Sequence, residues 1–586
     1  MSQGPGGVGA PQQGIAADLE DGGRPAGLGE VDPFAQRPPE PGNRWRLDAA
    51  LRLAVRRIMW EAAGGGADLA DEAGRWLAEI AEAGSTEMSR LALAAEANPP
   101  RHRPYDAWGA RVDLIEVDPA WNRLVARSQE LGLVALPYER PFGAASRVAQ
   151  AAAIQLLDPV TATAMCPLSM TDACAALLLR HDPALAQSWV PRLTALTGAW
   201  TAGQWMTEKQ GGSDVGRTGT TAVDSGLGDG SFRLRGTKWF TSATTADVAV
   251  ALARPEGAEA GSRGLSLFAL HLRTPDGSWN GIRVRRLKDK LGTRALPTAE
   301  LDLEGTLAVP VGGIGRGVPK VSAVLQVARL WAAQSGPGGT GHLLALARDF
   351  ATVRHVAGGR LADSPLHRAW LADVAASYEA MLQLSLRAAE LVGLDEAVPD
   401  RAVSPLARVV LPLAKMACSR QGFDAVSQLV ESFGGAGYCE DTGIPQTLRD
   451  VLVHCIWEGT GNVLALDVVR ALRDPSAGEA LMAEVEDQLR RRPGPVADRA
   501  EAAVRAVLPT LSEMVADARP ATARDVAWSL ARAYQLALVV AHARWAYEVV
   551  GDARPASAAD LLAARPLLAA GPGDADEAAL AALAAG

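Results

Sequence analysis

The sequence predicts a mostly α-helical fold with one β-domain set between helical ones. Three observations carry that expectation. Ala, Leu and Val dominate a chain that is 48% hydrophobic and only 5% aromatic, which favours helices over packed strands. Apolar residues recur at three and four spacings on both sides of a central stretch. Inside that stretch, residues 200–312, the period shortens and Gly and Asp turns punctuate it. At 586 residues the chain is long enough for several domains with sizeable cores.

Residues 1–43 are rich in Gly, Pro and Gln without a sustained apolar period, so this arm is expected to be disordered. Residues 44–199 read as an N-terminal helical domain, on Leu51, Leu53, Ala54, Ile58 and again Trp121, Leu124, Val125, with Asn98-Pro99-Pro100 as a turn between. In the central β-domain, 200–312, strands are expected at 232–236, 248–252, 265–270 and 299–303. Helical spacing returns in 313–473, a C-terminal bundle, and in 474–586, an additional helical domain divided at Arg492-Pro493-Gly494-Pro495 and at Arg554-Pro555. No fixed-period repeat is found.

A net charge of −9 gives no global attraction to nucleic acid or to an anionic membrane. The five cysteines, Cys166, Cys174, Cys418, Cys439 and Cys455, contain no CxxC pair and are odd in number, so reduced thiols are expected and no metal site. No signal peptide opens the chain and no apolar run nears the roughly 18 residues of a membrane span. A cytoplasmic location is expected.

Four segments bear chemistry. In Met206-Thr207-Glu208-Lys209-Gln210-Gly211-Gly212-Ser213-Asp214, two glycines let backbone approach a flat or phosphorylated ligand, and hydroxyls flank them; taken alone, the segment reads first as a plain turn. Gly236-Thr237-Lys238-Trp239-Phe240-Thr241-Ser242 sets two aromatics, Trp239 and Phe240, at a strand end, as ring cover or as core. Leu287-Lys288-Asp289-Lys290-Leu291-Gly292-Thr293-Arg294 reads as a solvated loop. The last, Cys455-Ile456-Trp457-Glu458-Gly459-Thr460-Gly461-Asn462, follows Glu431-Ser432-Phe433-Gly434-Gly435-Ala436-Gly437-Tyr438. It places Glu458 just before a helix N-terminus, where a carboxylate is either a helix-end charge worth about 0.3–1 kcal/mol or a base in a dry pocket.

In this order and at these separations the four segments resemble the acyl-CoA dehydrogenase family. MTEKQGGSDV and IWEGTGNVLALDVVR are especially similar to its AidB-like branch of alkylation-response proteins. The resemblance covers about residues 98–470, and the helical tail fits that branch.

The resemblance implies a helical domain, a central β-barrel or sandwich and a helical bundle, with an extra helical domain, assembled as a homotetramer that is a dimer of dimers. It implies FAD between β-domain and bundle. Met206, Thr207 and Ser213 would line the flavin, with Trp239 and Phe240 as its aromatic neighbours and Ser242 near its reactive nitrogen. Arg354 would hold the pyrophosphate across the dimer interface, where its charged fork suits a diphosphate. Glu431, Gly434 and Gly435 would pack on the adenosine half, and Thr460 and Asn462 would add contacts. Two departures stand out: Ala357 where a phenylalanine is usual, and Lys209-Gln210 where the mainstream family has Pro-Gly.

Glu458 matches the family's base. The implied reaction is α,β-dehydrogenation of an acyl-CoA or carrier-bound acyl thioester, with hydride transfer to flavin N5 and electron-transfer flavoprotein or O2 as acceptor. Ile456 and Trp457 would raise the base's pKa by desolvation. Two other functions remain open. One is binding of double-stranded DNA, with Arg470 as the phosphate contact, against which the Asp and Glu of the tail outnumber its Arg. The other is a flavin oxidase or monooxygenase of a biosynthetic pathway.

Overall fold

The computed structural model describes residues 36–40, 42–397, 404–492, 494–569 and 577–585. Most of the arm expected to be disordered, 1–35 and 41, lies outside them. The rest of it is not free: Arg37 Nη2 reaches both Asp349 carboxylate oxygens at 2.9 Å, and Glu40 N donates to Asp349 Oδ2 at 2.9 Å. Ordered contacts therefore begin ahead of residue 43.

The first domain holds helices α1 (Ala49–Ala62), α2 (Asp68–Ala83), α3 (Ser89–Ala97), α4 (Pro119–Glu130), α5 (Ser146–Leu157), α6 (Met165–His181) and α7 (Pro183–Leu193). Local chemistry sets several starts. Asp48, Asp118 and Asp182 each accept a backbone N–H at a helix N-cap, and proline follows the last two at the first helical position. The helical expectation misses a hairpin between α3 and α4, β1 (Arg101–Tyr105) paired with β2 (Arg111–Glu116). Its strands lack an apolar alternation. Distant bonds hold it instead, chiefly Trp279 Nε1 to Asp113 O at 3.1 Å and Val284 N to Asp113 Oδ2 at 3.1 Å.

The β-domain contains β3 (Ala202–Trp205), β4 (Thr221–Asp224), β5 (Phe232–Ser242), β6 (Val248–Pro255), β7 (Ser266–His271), β8 (Ile282–Leu287) and β9 (Thr298–Pro310). Pairings β6–β4, β4–β5, β5–β9, β9–β7 and β7–β6 close a ring, with β3 parallel to β6 and β8 added on β9. Closure leaves only β3 and β8 with a single partner strand each. The register of β5 on β9 slips between Lys238 and Thr241. That irregularity frees the Trp239 N–H to donate to Thr207 O at 3.0 Å, which ties the loop after β3 to the aromatic strand end.

Three long helices follow: α8 (Gly317–Val353), α9 (Pro365–Ala397) and α10 (Pro405–Ser432). Helices α8 and α10 cross at glycines. A methyl carbon on Gly336 would lie 2.0 Å from Cys418 O, and one on Gly422 would lie 2.3 Å from Gly336 Cα. Next come α11 (Ile444–Val453) and α12 (Gly461–Leu472), then the additional helices α13 (Pro475–Arg490), α14 (Asp498–Ala516), α15 (Ala523–Trp545), α16 (Arg554–Ala563) and α17 (Glu577–Ala585). The added helices dock through buried polar bonds: Glu484 of α13 accepts from Arg387 Nε of α9 at 3.0 Å and from Tyr534 of α15 at 3.1 Å. No helix among the described residues is long and apolar enough to cross a membrane.

Gly422→Ala is expected to destabilise the chain by at least about 1–3 kcal/mol through overpacking, read as a lower urea midpoint. Gly74→Ala, inside α2, is the contrast. Its methyl would meet only Trp45 at 3.7 Å, so the helix should gain about 0.5–1 kcal/mol.

Candidate active site

Glu458 lies on the connection between α11 and α12 with φ of 55°, a left-handed conformation that costs a non-glycine residue roughly 1–2 kcal/mol. Three elements hold it there. From α8, Arg329 Nε donates to Glu458 O at 3.2 Å. From α10, the buried Lys415 Nζ donates to Gly459 O at 2.5 Å. From β3, Gln204 Nε2 donates to Glu458 Oε1 at 2.7 Å. The half-buried carboxylate thus sits where β-domain and bundle meet, and its own N–H has no hydrogen-bond partner among the described residues.

Burial pushes the Glu458 carboxyl above its ordinary range, and Lys415, Arg329 and the Gln204 bond pull partly against it. Burial also brings Lys415 down to about 8, offset by Glu458. Of the two residues expected to supply the desolvation, Ile456 is 57% exposed. Trp457 is turned to His454, donating to its Nδ1 at 3.0 Å. Burial lowers His454 to about 3, so the ring is neutral and accepts that proton without charge.

The loop after β3 is organised by one carboxylate. Glu208 accepts from Lys238 Nζ at 2.8 Å, Gly219 N at 2.7 Å, Gln210 Nε2 at 2.7 Å and Thr220 Oγ1 at 2.5 Å. Met206 is half-buried at its start. The Thr207 and Ser213 hydroxyls have no hydrogen-bond partner among the described residues. Trp239 is half-buried and Phe240 is 53% exposed. Lys288 Nζ lies 3.6 Å from the Trp239 ring centre and 4.5 Å from that of Phe240, and Ser242 Oγ is 3.1 Å from Thr298 Oγ1. The segment expected to be a solvated loop is anchored instead. Lys288 donates to Glu300 at 2.7 Å, and Lys290 donates to Thr293 O at 2.6 Å and Leu296 O at 2.7 Å.

Thr460 takes the N-cap position of α12 without a side-chain cap bond, leaving its hydroxyl and the first-turn amides for a ligand. Asn462 is exposed, and its Oδ1 accepts from Arg524 Nη1 of α15 at 2.8 Å. Arg470 is exposed and its guanidinium pairs with Asp467. The remaining residues lie elsewhere on the chain. Arg354 is exposed just beyond α8, 25 residues from Arg329 and so about 37 Å along the helix axis. Glu431, Gly434 and Gly435 are exposed at the end of α10, roughly 24 Å beyond Lys415.

Sequence reasoning named Glu458 but not the residues that hold it, Gln204, Arg329 and Lys415, and quoted Glu208 without giving it a role. A usable signal was present for Lys415, a lone charge in the apolar run Leu411-Pro412-Leu413-Ala414-Lys415-Met416-Ala417-Cys418.

The free hydroxyls of Thr207, Ser213 and Thr460, the partly open aromatics and the uncapped start of α12 fit a flat cofactor with a polar tail. Comparisons with known proteins agree. The adaptive response protein AidB N-terminal domain matches residues 36–197, the acyl-CoA dehydrogenase middle domain 203–306 and the acyl-CoA dehydrogenase C-terminal domain 315–473. Acyl-CoA dehydrogenase family member 11 of Caenorhabditis elegans is 37% identical over 544 residues, spanning 87% of this chain and 86% of that protein.

This chain belongs to the acyl-CoA dehydrogenase family, in its AidB-like branch. It is an oxidoreductase of that family. The Escherichia coli protein described as putative acyl-CoA dehydrogenase AidB is 34% identical over 453 residues, covering 75% of this chain and 80% of that protein. The crystal structure of the Caenorhabditis elegans protein ACDH-11 in complex with C11-CoA superposes with a TM-score of 0.84 at 34% identity, over 92% of this chain and 94% of that one. An acyl-CoA dehydrogenase from Bacillus anthracis complexed with FAD, 20% identical with a TM-score of 0.62 over 76% of this chain and 80% of that one, shares the fold.

Lys238→Met would leave the Glu208 carboxylate buried without its cation. The loss is expected to be about 3–5 kcal/mol, measured by urea unfolding at neutral pH. Glu208 lies below its usual range because Lys238, Thr220 and Gly219 outweigh its burial. Its stabilisation is therefore present above about pH 4.5 and lost as pH falls through the lowered value, so Glu208→Gln should flatten the acid limb of stability against pH.

Proposed function

We propose that the chain dehydrogenates an acyl-CoA between its α and β carbons, with FAD as the electron acceptor and Glu458 as the base. The observation that carries this reading is the Glu458 carboxylate, half-buried where β-domain and bundle meet, oriented by Gln204 at 2.7 Å and lifted by burial. FAD, when bound, supplies a two-electron acceptor for the β-hydride. Met206, Thr207, Ser213, Trp239, Phe240 and Ser242 would hold its ring, with Thr460 and Asn462 beside it.

The protein's own residues handle the proton. Glu458 takes the α-proton, and a carboxyl brought toward neutrality is a better base there than one at its ordinary value. The unpartnered Glu458 N–H would donate to the thioester oxygen as enolate charge develops. Arg329 and Lys415 fix the two carbonyls flanking the Glu458–Gly459 link, so the base keeps its direction as its charge changes.

Arg354, Glu431, Gly434 and Gly435 are too far along their helices to share one cofactor with Glu458 of the same chain. This supports a second copy of the chain completing the cofactor site, in a homotetramer. The ACDH-11 complex supports medium-chain acyl-CoA as the substrate class.

Anaerobic mixing of the FAD-loaded protein with acyl-CoAs of graded length, branched and aromatic ones included, is expected to bleach the flavin. Glu458→Gln should slow bleaching at least about 100-fold while retaining FAD. Bleaching by none of these substrates would remove the reading, and fast reoxidation by air would make the protein an oxidase. Arg354→Gln is expected to lower FAD retention without changing Glu458, read as free flavin after gel filtration.

A further inference from the structure

Two cations touch the backbone around Glu458, and they differ in what balances them. Arg329 Nη2 pairs with Asp467 Oδ2 at 2.6 Å, a carboxylate it shares with Arg470. Lys415 is fully buried on α10, and its hydrogen bond among the described residues goes to a neutral acceptor, Gly459 O at 2.5 Å. Neither a carboxylate salt bridge nor a second acceptor is found for it among the described residues. An ammonium buried with one carbonyl is costly unless an opposite charge stands close. The carboxylate acting on it is that of Glu458.

We propose that Lys415 is a positioning residue for Glu458, tying the Gly459 carbonyl and setting near the carboxylate a buried positive charge that has no salt bridge of its own among the described residues and that keeps Glu458 ionised until the substrate proton arrives. This rests on Glu458 being the base. The groups facing Glu458 from each packed element are Lys415 on α10, Arg329 on α8, the neutral Gln204 on β3 and the thiol of Cys166 on α6. Burial pushes the Cys166 thiol up to about 12, so it stays uncharged. When Glu458 accepts a proton, Lys415 loses its counter-charge, and the two groups titrate as a pair.

Lys415→Met removes both the charge and the Gly459 bond, whereas Lys415→Gln removes the charge and keeps a donor. Isotope-edited infrared spectra of the carboxylates in the full chain, with Glu458 assigned by its loss in Glu458→Gln, would follow the titration. In both lysine variants half-ionisation of Glu458 is expected at a proton concentration at least about tenfold lower than in the wild type, and the rising limb of flavin bleaching should move to higher pH with it. A Glu458 midpoint that stays put in either variant, or one that Lys415→Gln leaves as in the wild type, overturns the proposal.

The reciprocal measurement covers the case in which the lysine variants do not fold. The chain has only six lysines, Lys209, Lys238, Lys288, Lys290, Lys320 and Lys415, so carbon-13 lysine spectra are sparse. In Glu458→Gln, Lys415 should lose its proton at a proton concentration about tenfold higher than in the wild type; an unchanged Lys415 titration overturns the proposal. Coupled titrations together with no bleaching by any acyl-CoA would keep the charge pair and overturn only the base reading.

Discussion

The close crossing of α8 and α10 at Gly336 and Gly422 is the constraint on which the candidate site around Glu458 depends. Neither position has room for a methyl group. Arg329 precedes Gly336 by seven residues and Lys415 precedes Gly422 by seven, which is two helical turns in each case. Both cations therefore stand on the face that bears the crossing, at the same height, and both reach the Glu458–Gly459 backbone. A wider crossing would separate them from each other and from the loop, and the left-handed Glu458 would lose the bonds that offset its strain.

The β-domain meets this clamp from the other side through an equally specific device. Glu208 collects a lysine, a side-chain amide, a hydroxyl and backbone N–H groups, and so shapes the loop that begins with Met206. Lys238, on the same face of the strand as buried Leu234, reaches Glu208, and the slip in register just after it lets the next N–H bind Thr207. Gln204, on the same short strand, then reaches Glu458. One bulged strand and one buried ion pair connect the 206–214 loop and Glu458.

Much of this was legible from residues alone, and the gaps have physical causes. The strands near 232, 248, 265 and 299 were visible because short apolar or alternating apolar runs lie between turn residues. The hairpin at 101–116 was not, since Asp113 holds it through partners more than 160 positions away. The loop at 287–294 looked solvated because its charges alternate; its lysines instead satisfy carbonyls and a carboxylate within the fold. Among 58 basic residues only six are lysine, and Lys238, Lys320 and Lys415 are buried. A compact ammonium with rotatable donors fits such sites better than a guanidinium fork, so a rare lysine in an apolar run was itself a signal.

By itself the sequence determined the order of helical and β-rich regions, the glycine-rich loops and a glutamate before a helix start, because periodicity, turn chemistry and local spacing are properties of neighbouring residues. Only the tertiary structure decided that Ile456 is mostly exposed, that Gln204, Arg329 and Lys415 converge on Glu458 and Gly459, and that Arg354 lies about 37 Å along α8 from Arg329. Those facts depend on how helices cross and where a strand slips. Burial and charge act through space, and the Glu458 carboxylate is held by a neighbour that the chain order keeps 254 positions away.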